Sequence, residues 1–283
     1  MQKESFIAQF TIAIVFGLGL AACSDNKPTS STRYEPVDTI AETIIKNLAS
    51  TPDLELVADI DHSKLAAKTE AHMPPARVVI FSNIELEIRL LKENQLVGLD
   101  LPLKILAYEN IQGSPSVIHN TYDYLTSRYN LKSNTSLSEV HDQAYIQALT
   151  GINNSQHSTF NNDSMNPNGI ITIDSIYDFK TSIERIHQAI KAQDDTIEFG
   201  EIDYQQQAAD LGEKIRPTTM ILFGAPAPGA EAMRNAITLG LDAFCQKFLV
   251  WQDVEGKVHL SYNDLLAIAD RQNVDKAIAL RVI

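Results

Sequence analysis

Apolar residues recur along this chain with two different periods, and the two periods alternate in the same order twice. In "VDTIAETIIKNLAS", Ile40, Ile44, Ile45 and Leu48 fall on one helical face, and "FKTSIERIHQAIKA" repeats the pattern with Ile183, Ile186 and Ile190. Spacings of three and four residues predict amphipathic helices packed on one side. Each is followed by a predicted strand, "LELVADID" or "TIEFGEID". A short Ala-rich stretch comes next, then the most apolar strands, residues 78–81 and 220–223. Residues 84–97 and 230–239 read as helical. After them come a strand, "LKILAYE" or "KFLVWQD", a turn at Gly113 or Gly256, and a short strand, "SVIH" or "KVHLSY". "TYDYLTSRY" or "NDLLAIADR" closes each unit as a helix. The expected fold class is α/β (α+β): two tandem compact two-layer domains, each with a short mixed or antiparallel sheet.

Residue by residue, the two units match at one nearly constant offset. Ile60-Asp61-His62 falls on Ile202-Asp203-Tyr204, Pro75 on Pro217 and Gly98-Leu99-Asp100 on Gly240-Leu241-Asp242. After a slip of one position, Gly113 meets Gly256, Asn120 meets Asn263 and Arg128 meets Arg271. That agreement marks an internal duplication of domain size, too long for a solenoid repeat. The units are placed at 34–131 and 170–274, with a tail at 275–283. Residues 132–169, rich in Asn, Ser and Thr, read as a polar linker holding a helical turn or two. Duplicated surfaces in one chain are expected to pair with approximate twofold symmetry, as a pseudo-dimer.

The ordered motifs resemble the DUF302 family, a bacterial domain of unknown function. Unit one carries Ile60-Asp61-His62, Pro74-Pro75, Phe81-Ser82-Asn83 and Gly98-Leu99-Asp100-Leu101-Pro102-Leu103, with Tyr108-Glu109-Asn110 where the family has W-E-D. Unit two carries Phe223-Gly224-Ala225-Pro226, Gly240-Leu241-Asp242, Trp251-Gln252-Asp253 and Ser261-Tyr262-Asn263. The resemblance implies compact α/β domains that pair, and it names no reaction.

Composition narrows the setting. A formal net charge of −13 is poor material for a nucleic-acid surface. Residues 1–22 combine Lys3, an apolar run and small residues, which is an export signal. Leu20-Ala21-Ala22-Cys23 resembles a bacterial lipoprotein box, so Cys23 is the expected site of lipid (palmitate) attachment. Residues 23–33 then form a tether, and the expected location is the periplasmic face of the outer membrane. Cys245 is the only other cysteine, so no intrachain disulfide is expected; in its apolar segment it reads as a buried thiol.

Asp61 and His62 are the most suggestive pair for chemistry, since His moves protons near neutral pH. Adjacent strand residues point to opposite faces, so the pair is not automatically a dyad. Unit two keeps Asp203 and replaces the His by Tyr204. With Tyr108 and Trp251 at strand ends, these six are the candidate ligand-binding residues. Histidine spacing in unit one supports no metal site, and no cofactor motif occurs. "FGAPAPGAEAM" lacks a phosphate-loop signature. Gly98 and Gly240, after predicted helices, read as left-handed C-terminal caps. The sequence favours a non-enzymatic envelope lipoprotein, a scaffold for a small ligand or an envelope protein in the cleft between units. The alternative is an enzyme built on Asp61 and His62; a third reading is a purely structural protein.

Overall fold

The computed structural model describes residues 30–153, 156–160, 169–272 and 274. The residues read as an export signal, Cys23, most of the stretch read as a tether and the 275–283 tail lie outside the described residues. No helix among the described residues is long and apolar enough to cross a membrane.

Two α/β units follow one another, as the alternating periods predict. Unit one runs α1 (Ser30–Ala49), β1 (Glu55–Asp61), α2 (His62–Ala67), β2 (Ala76–Ser82), α3 (Ile84–Glu93), a 3-10 turn (Gln95–Leu99), β3 (Leu103–Glu109), β4 (Pro115–Asn120) and α4 (Tyr122–Tyr129). It ends in α5 (Thr135–Ala148) and β5 (His157–Phe160). Unit two runs β6 (Ile170–Asp174), α6 (Phe179–Lys191), β7 (Ile197–Asp203), α7 (Tyr204–Asp210), β8 (Thr218–Gly224), α8 (Pro226–Met233), a second 3-10 turn (Ile237–Leu241), β9 (Gln246–Gln252), β10 (Val258–Asn263) and α9 (Leu265–Arg271). The sheets are ordered β1-β2-β3-β4-β5 and β6-β10-β9-β8-β7. All neighbours are antiparallel except β4 and β5.

The 132–169 stretch is not a plain linker. Within it α5 buries Leu137, His141, Ala144, Tyr145 and Ala148, spaced as one helical face, and β5 extends the first sheet. A His at one core position and polar neighbours blur that face in the sequence. The fifth strands differ between units: β5 lies parallel to β4, whereas β6 comes before α6 and lies antiparallel to β10. So α5 has no counterpart among the described residues of unit two.

The stretches expected to be single helices after β2 and β8 each break into an α-helix and a 3-10 turn. In unit one the break is at Asn94, extended at φ −151, whose side chain accepts from the Leu96 amide. α8 begins at Pro226, ahead of the Gly229 expected to precede it, because Pro at the first helical position has φ preset and no N–H to satisfy.

Gly98 and Gly240 are not left-handed caps; neither has positive φ. Each lies in its 3-10 turn, where the other unit presses on it. A Cβ on Gly98 would meet Leu249 Cδ1 at 2.8 Å, and one on Gly240 would meet Leu106 Cδ1 at 3.2 Å. Leu106 and Leu249 are equivalent residues of β3 and β9, so the contact is reciprocal, as in an isologous dimer interface. Missing side chains let the two sheets approach through their 3-10 turns.

Candidate functional site

The predicted pair at the end of β1 is separated by a helix start. Asp61 is the N-cap of α2, its Oδ1 accepting from the Lys64 amide at 2.8 Å and from Ser63 Oγ at 2.7 Å. Partial burial raises its pKa, but the bonds from Lys64 and Ser63 outweigh that and hold it below the usual carboxylate range. His62 opens α2 and turns into the interface between units, with Nε2 3.2 Å from the Gly240 carbonyl oxygen. Burial lowers its pKa to about 4, so at neutral pH the ring is neutral and Nε2–H donates to that carbonyl. Asp203 caps α7 in the same way, accepting from the Gln206 amide at 2.9 Å. Tyr204 is fully buried, and its hydroxyl has no hydrogen-bond partner among the described residues. Tyr108 is buried within β3. Trp251 donates from Nε1 to Ser261 Oγ at 3.0 Å and stacks on His259 with centroids 4.4 Å apart. These six residues therefore converge on no single cavity.

Between the units lies a cluster of ionised side chains that the sequence reading did not assemble. Each unit supplies an Asp after its 3-10 turn, a Lys near the start of the next strand, an Asn at the end of β4 or β10, and an Arg in the closing helix. Asp100 accepts from Arg128 Nη1 and from the Tyr129 hydroxyl, both at 2.7 Å. Asp242 pairs with Arg271 and accepts from Asn120 Nδ2 at 2.8 Å. Lys104 Nζ bridges the two carboxylates, 3.3 Å from Asp100 and 3.2 Å from Asp242. Arg128 also donates to Asn263 Oδ1 at 2.7 Å, while Arg271 approaches Asn120 Oδ1, so each Arg reaches the Asn of the other unit.

All six charged members are buried. Burial alone raises the Asp100 pKa, but Arg128 and Lys104 outweigh it and keep the group ionised. Burial likewise lowers Lys104, and Asp242 and Asp100 reverse the shift to leave it raised. Lys247 is different. Among the described residues it has no carboxylate within ion-pair distance, and its amine neighbours that of Lys104. Burial and then Lys104 lower its pKa to about 7. The cluster thus sets four basic side chains, one of them with a pKa lowered to about 7, against two carboxylates.

One wall of this cluster, formed by Asp242, Lys247 and Asn263, also bounds a cleft of about 530 Å³ in unit two. Phe223, Phe248, Leu260 and Tyr262 form its sheet floor, and Ile171 and Ile173 of β6 form one side. The equivalent space in unit one is filled. There the Tyr145 ring of α5 stacks on His119 with centroids 4.0 Å apart and meets Phe81 edge-on at 5.6 Å. Its hydroxyl donates to the Lys104 carbonyl oxygen at 3.4 Å. By the repeat offset, Phe81, Lys104 and His119 correspond to Phe223, Lys247 and Tyr262, three residues of the cleft. The strands of that floor were read from the sequence; that their aromatic residues share one face and that no α5 covers them was not.

Cys245 is a buried free thiol, as expected, its pKa pushed up to about 12 by burial. No group of three or more His, Cys, Asp or Glu side chains that could hold a metal occurs among the described residues.

Residues 29–150 and 171–282 match the domain of unknown function DUF302. The chain belongs to that family and carries its domain twice. Over 106 residues it is 32% identical to "Fluoride-specific ion channel FluC 1" of Brucella suis biovar 1 (strain 1330), covering 38% of this chain and 41% of that protein. It is also 32% identical over 106 residues to "Fluoride-specific ion channel FluC 2" of Brucella melitensis biotype 1, covering 38% of each chain. The chain thus spans about two-fifths of the length of these curated relatives. Among solved structures, the uncharacterized conserved protein DUF302 from Bacillus stearothermophilus is similar at 16% identity and a TM-score of 0.35, over 40% of this chain and 85% of that one.

Proposed function

We propose that this protein is a lipid-anchored envelope protein that binds a small amphipathic molecule in the cleft of unit two, with unit one as its structural twin. One observation carries the reading. The space that unit one fills with Tyr145 is, in unit two, a cleft of about 530 Å³ with a largely aromatic floor. That volume suits a small organic ligand, and Tyr145 indicates what fits: a flat ring with a polar end. Asp61 at a helix cap and His62 against Gly240 support binding over an enzyme built on that pair.

The cleft is tested by filling it. Full-length protein is titrated with flat amphipathic compounds while its melting temperature is followed. At about a hundred times Kd, a ligand stabilises the native state by roughly 2.7 kcal/mol. Leu260→Trp, which places an indole in the cleft, is expected to abolish the shift. Shifts unchanged by Leu260→Trp would place binding elsewhere, and a flat response from the unmodified protein would end this reading.

The anchor rests on the Leu20-Ala21-Ala22-Cys23 box. Radiolabelled palmitate is expected to enter the full chain made in a bacterium with two membranes, and Cys23→Ala is expected to lose the label. An unlabelled wild-type chain would remove the anchor from the proposal.

A further inference from the structure

We infer that the protein holds a phosphate group at the boundary between its units, in a pocket separate from the unit-two cleft. The pocket, about 350 Å³, is lined by Leu91, Lys92 and Gln95 of unit one and by Lys214, Ile215 and Arg216 of unit two. Three of these side chains are basic and none is acidic, in a chain whose formal net charge is −13. Basic side chains gathered against the sign of the whole chain make a place suited to an anion.

A buried residue of unit one orients Arg216. Gln95, 3% exposed, donates from Nε2 to Thr218 Oγ1 at 2.8 Å and to the Gln252 carbonyl oxygen at 3.2 Å, both in unit two. Those acceptors fix which end of the amide is oxygen, and Oε1 accepts from Arg216 Nε at 2.7 Å. The guanidinium is thereby held at the pocket wall with one nitrogen used. Its two Nη groups have no acceptor among the described residues, and such a fork suits the paired oxygens of an oxyanion. Lys214 has no ion-pair partner among the described residues. Lys92 pairs with Glu213 at 2.5 Å, so Lys214 and Arg216 supply two unmatched positive charges, which a phosphate dianion balances better than a single carboxylate. Leu91 and Ile215 offer an apolar surface to an organic group attached to that phosphate.

The duplication supplies an internal control. At the repeat offset, Gln95, Lys214 and Arg216 correspond to Ile237, His72 and Pro74. Leu91 and Ile215 correspond to Met233 and Met73, which border a space of only about 30 Å³. The duplicated fold therefore does not by itself produce an open basic pocket here; residues that the repeat does not share produce it.

The test follows the melting temperature of the full-length protein in inorganic phosphate, with chloride at equal ionic strength as the reference. Phosphate is expected to raise it saturably. Arg216→Gln is expected to weaken the apparent affinity at least about tenfold, the size of one charge-assisted contact, and Lys214→Gln about threefold. Arg216→Lys keeps the charge without the fork and should fall between Arg216→Gln and the wild type. Lys180→Gln, an exposed change on α6, and Leu260→Trp, in the other cleft, are expected to leave the phosphate response unchanged. This inference and the small-molecule reading of the cleft therefore fail separately. Equal melting in phosphate and chloride would overturn the inference, as would a response that survives Arg216→Gln or falls equally in Lys180→Gln. Two further arms separate the sources of the group. Tighter binding of phenyl phosphate than of inorganic phosphate assigns the pocket to a soluble phosphate ester. Sedimentation with vesicles containing phosphatidic acid, lost in Arg216→Gln, assigns it to a lipid headgroup. The wild-type comparison of phosphate with chloride needs no variant, so it decides the matter even if Arg216→Gln folds poorly.

Discussion

Replacing Asp242 by Asn is expected to lower the unfolding free energy by about 3–5 kcal/mol, the usual cost of removing one partner from a buried ion pair. Asp242 pairs with Arg271, holds Lys104 and accepts from Asn120, so three polar groups from both units lose their acceptor charge together. Asparagine keeps the shape but replaces one accepting oxygen by an NH2 donor, and both Asp242 oxygens accept here, so the loss combines the charge with a hydrogen bond. The remaining cluster would set four basic groups against Asp100 alone. Adding Lys247→Met to Asp242→Asn should therefore recover part of the loss, because it removes the cation with no partner of its own. Urea unfolding followed by circular dichroism measures both. A loss below about 1 kcal/mol for Asp242→Asn would mean that the cluster does not hold the units together as the hydrogen bonds indicate.

Glu87→Gln is expected to act in the opposite direction and to do so only at higher pH. Glu87 is fully buried on α3, neither carboxylate oxygen has a hydrogen-bond partner among the described residues, and burial pushes its pKa up to about 8 from an ordinary 4.5. Because the folded protein holds this proton more tightly than the unfolded chain, stability falls as pH rises from about 4.5 to about 8. Above that window the whole penalty is present. At 1.36 kcal/mol per pKa unit it amounts to about 3–5 kcal/mol. Gln resembles the protonated acid and does not titrate, so the variant should match the wild type near pH 4 and exceed it by about that amount at pH 9. Equal pH profiles for the two proteins would show that Glu87 is ionised in the fold and has found a partner.

These two residues show different kinds of legibility. Asp242 stands out in the sequence because Gly-Leu-Asp occurs twice, and so do Asn120 with Asn263 and Arg128 with Arg271. Repetition identified the residues without their purpose. A capping glycine explained the same spacing, and only the packed structure shows that Gly98 and Gly240 lie where the opposite unit presses closest. Glu87 gave no signal, because a carboxylate on a predicted helix is ordinarily solvated and nothing local reveals that α5 and α7 pack against α3.

The sequence by itself determined the alternation of helices and strands, the duplication and the α/β class. Those features follow from periodicity, and periodicity is a property of neighbouring residues along the chain. Tertiary structure decided the rest. It made α5 part of the first core instead of a linker, since the helix's value lies in the sheet face it covers. It joined residues far apart in sequence into one charged cluster across the interface. And it left open in unit two the space that Tyr145 fills in unit one, a difference between the halves that lies in which surfaces meet and not in the repeated residues themselves.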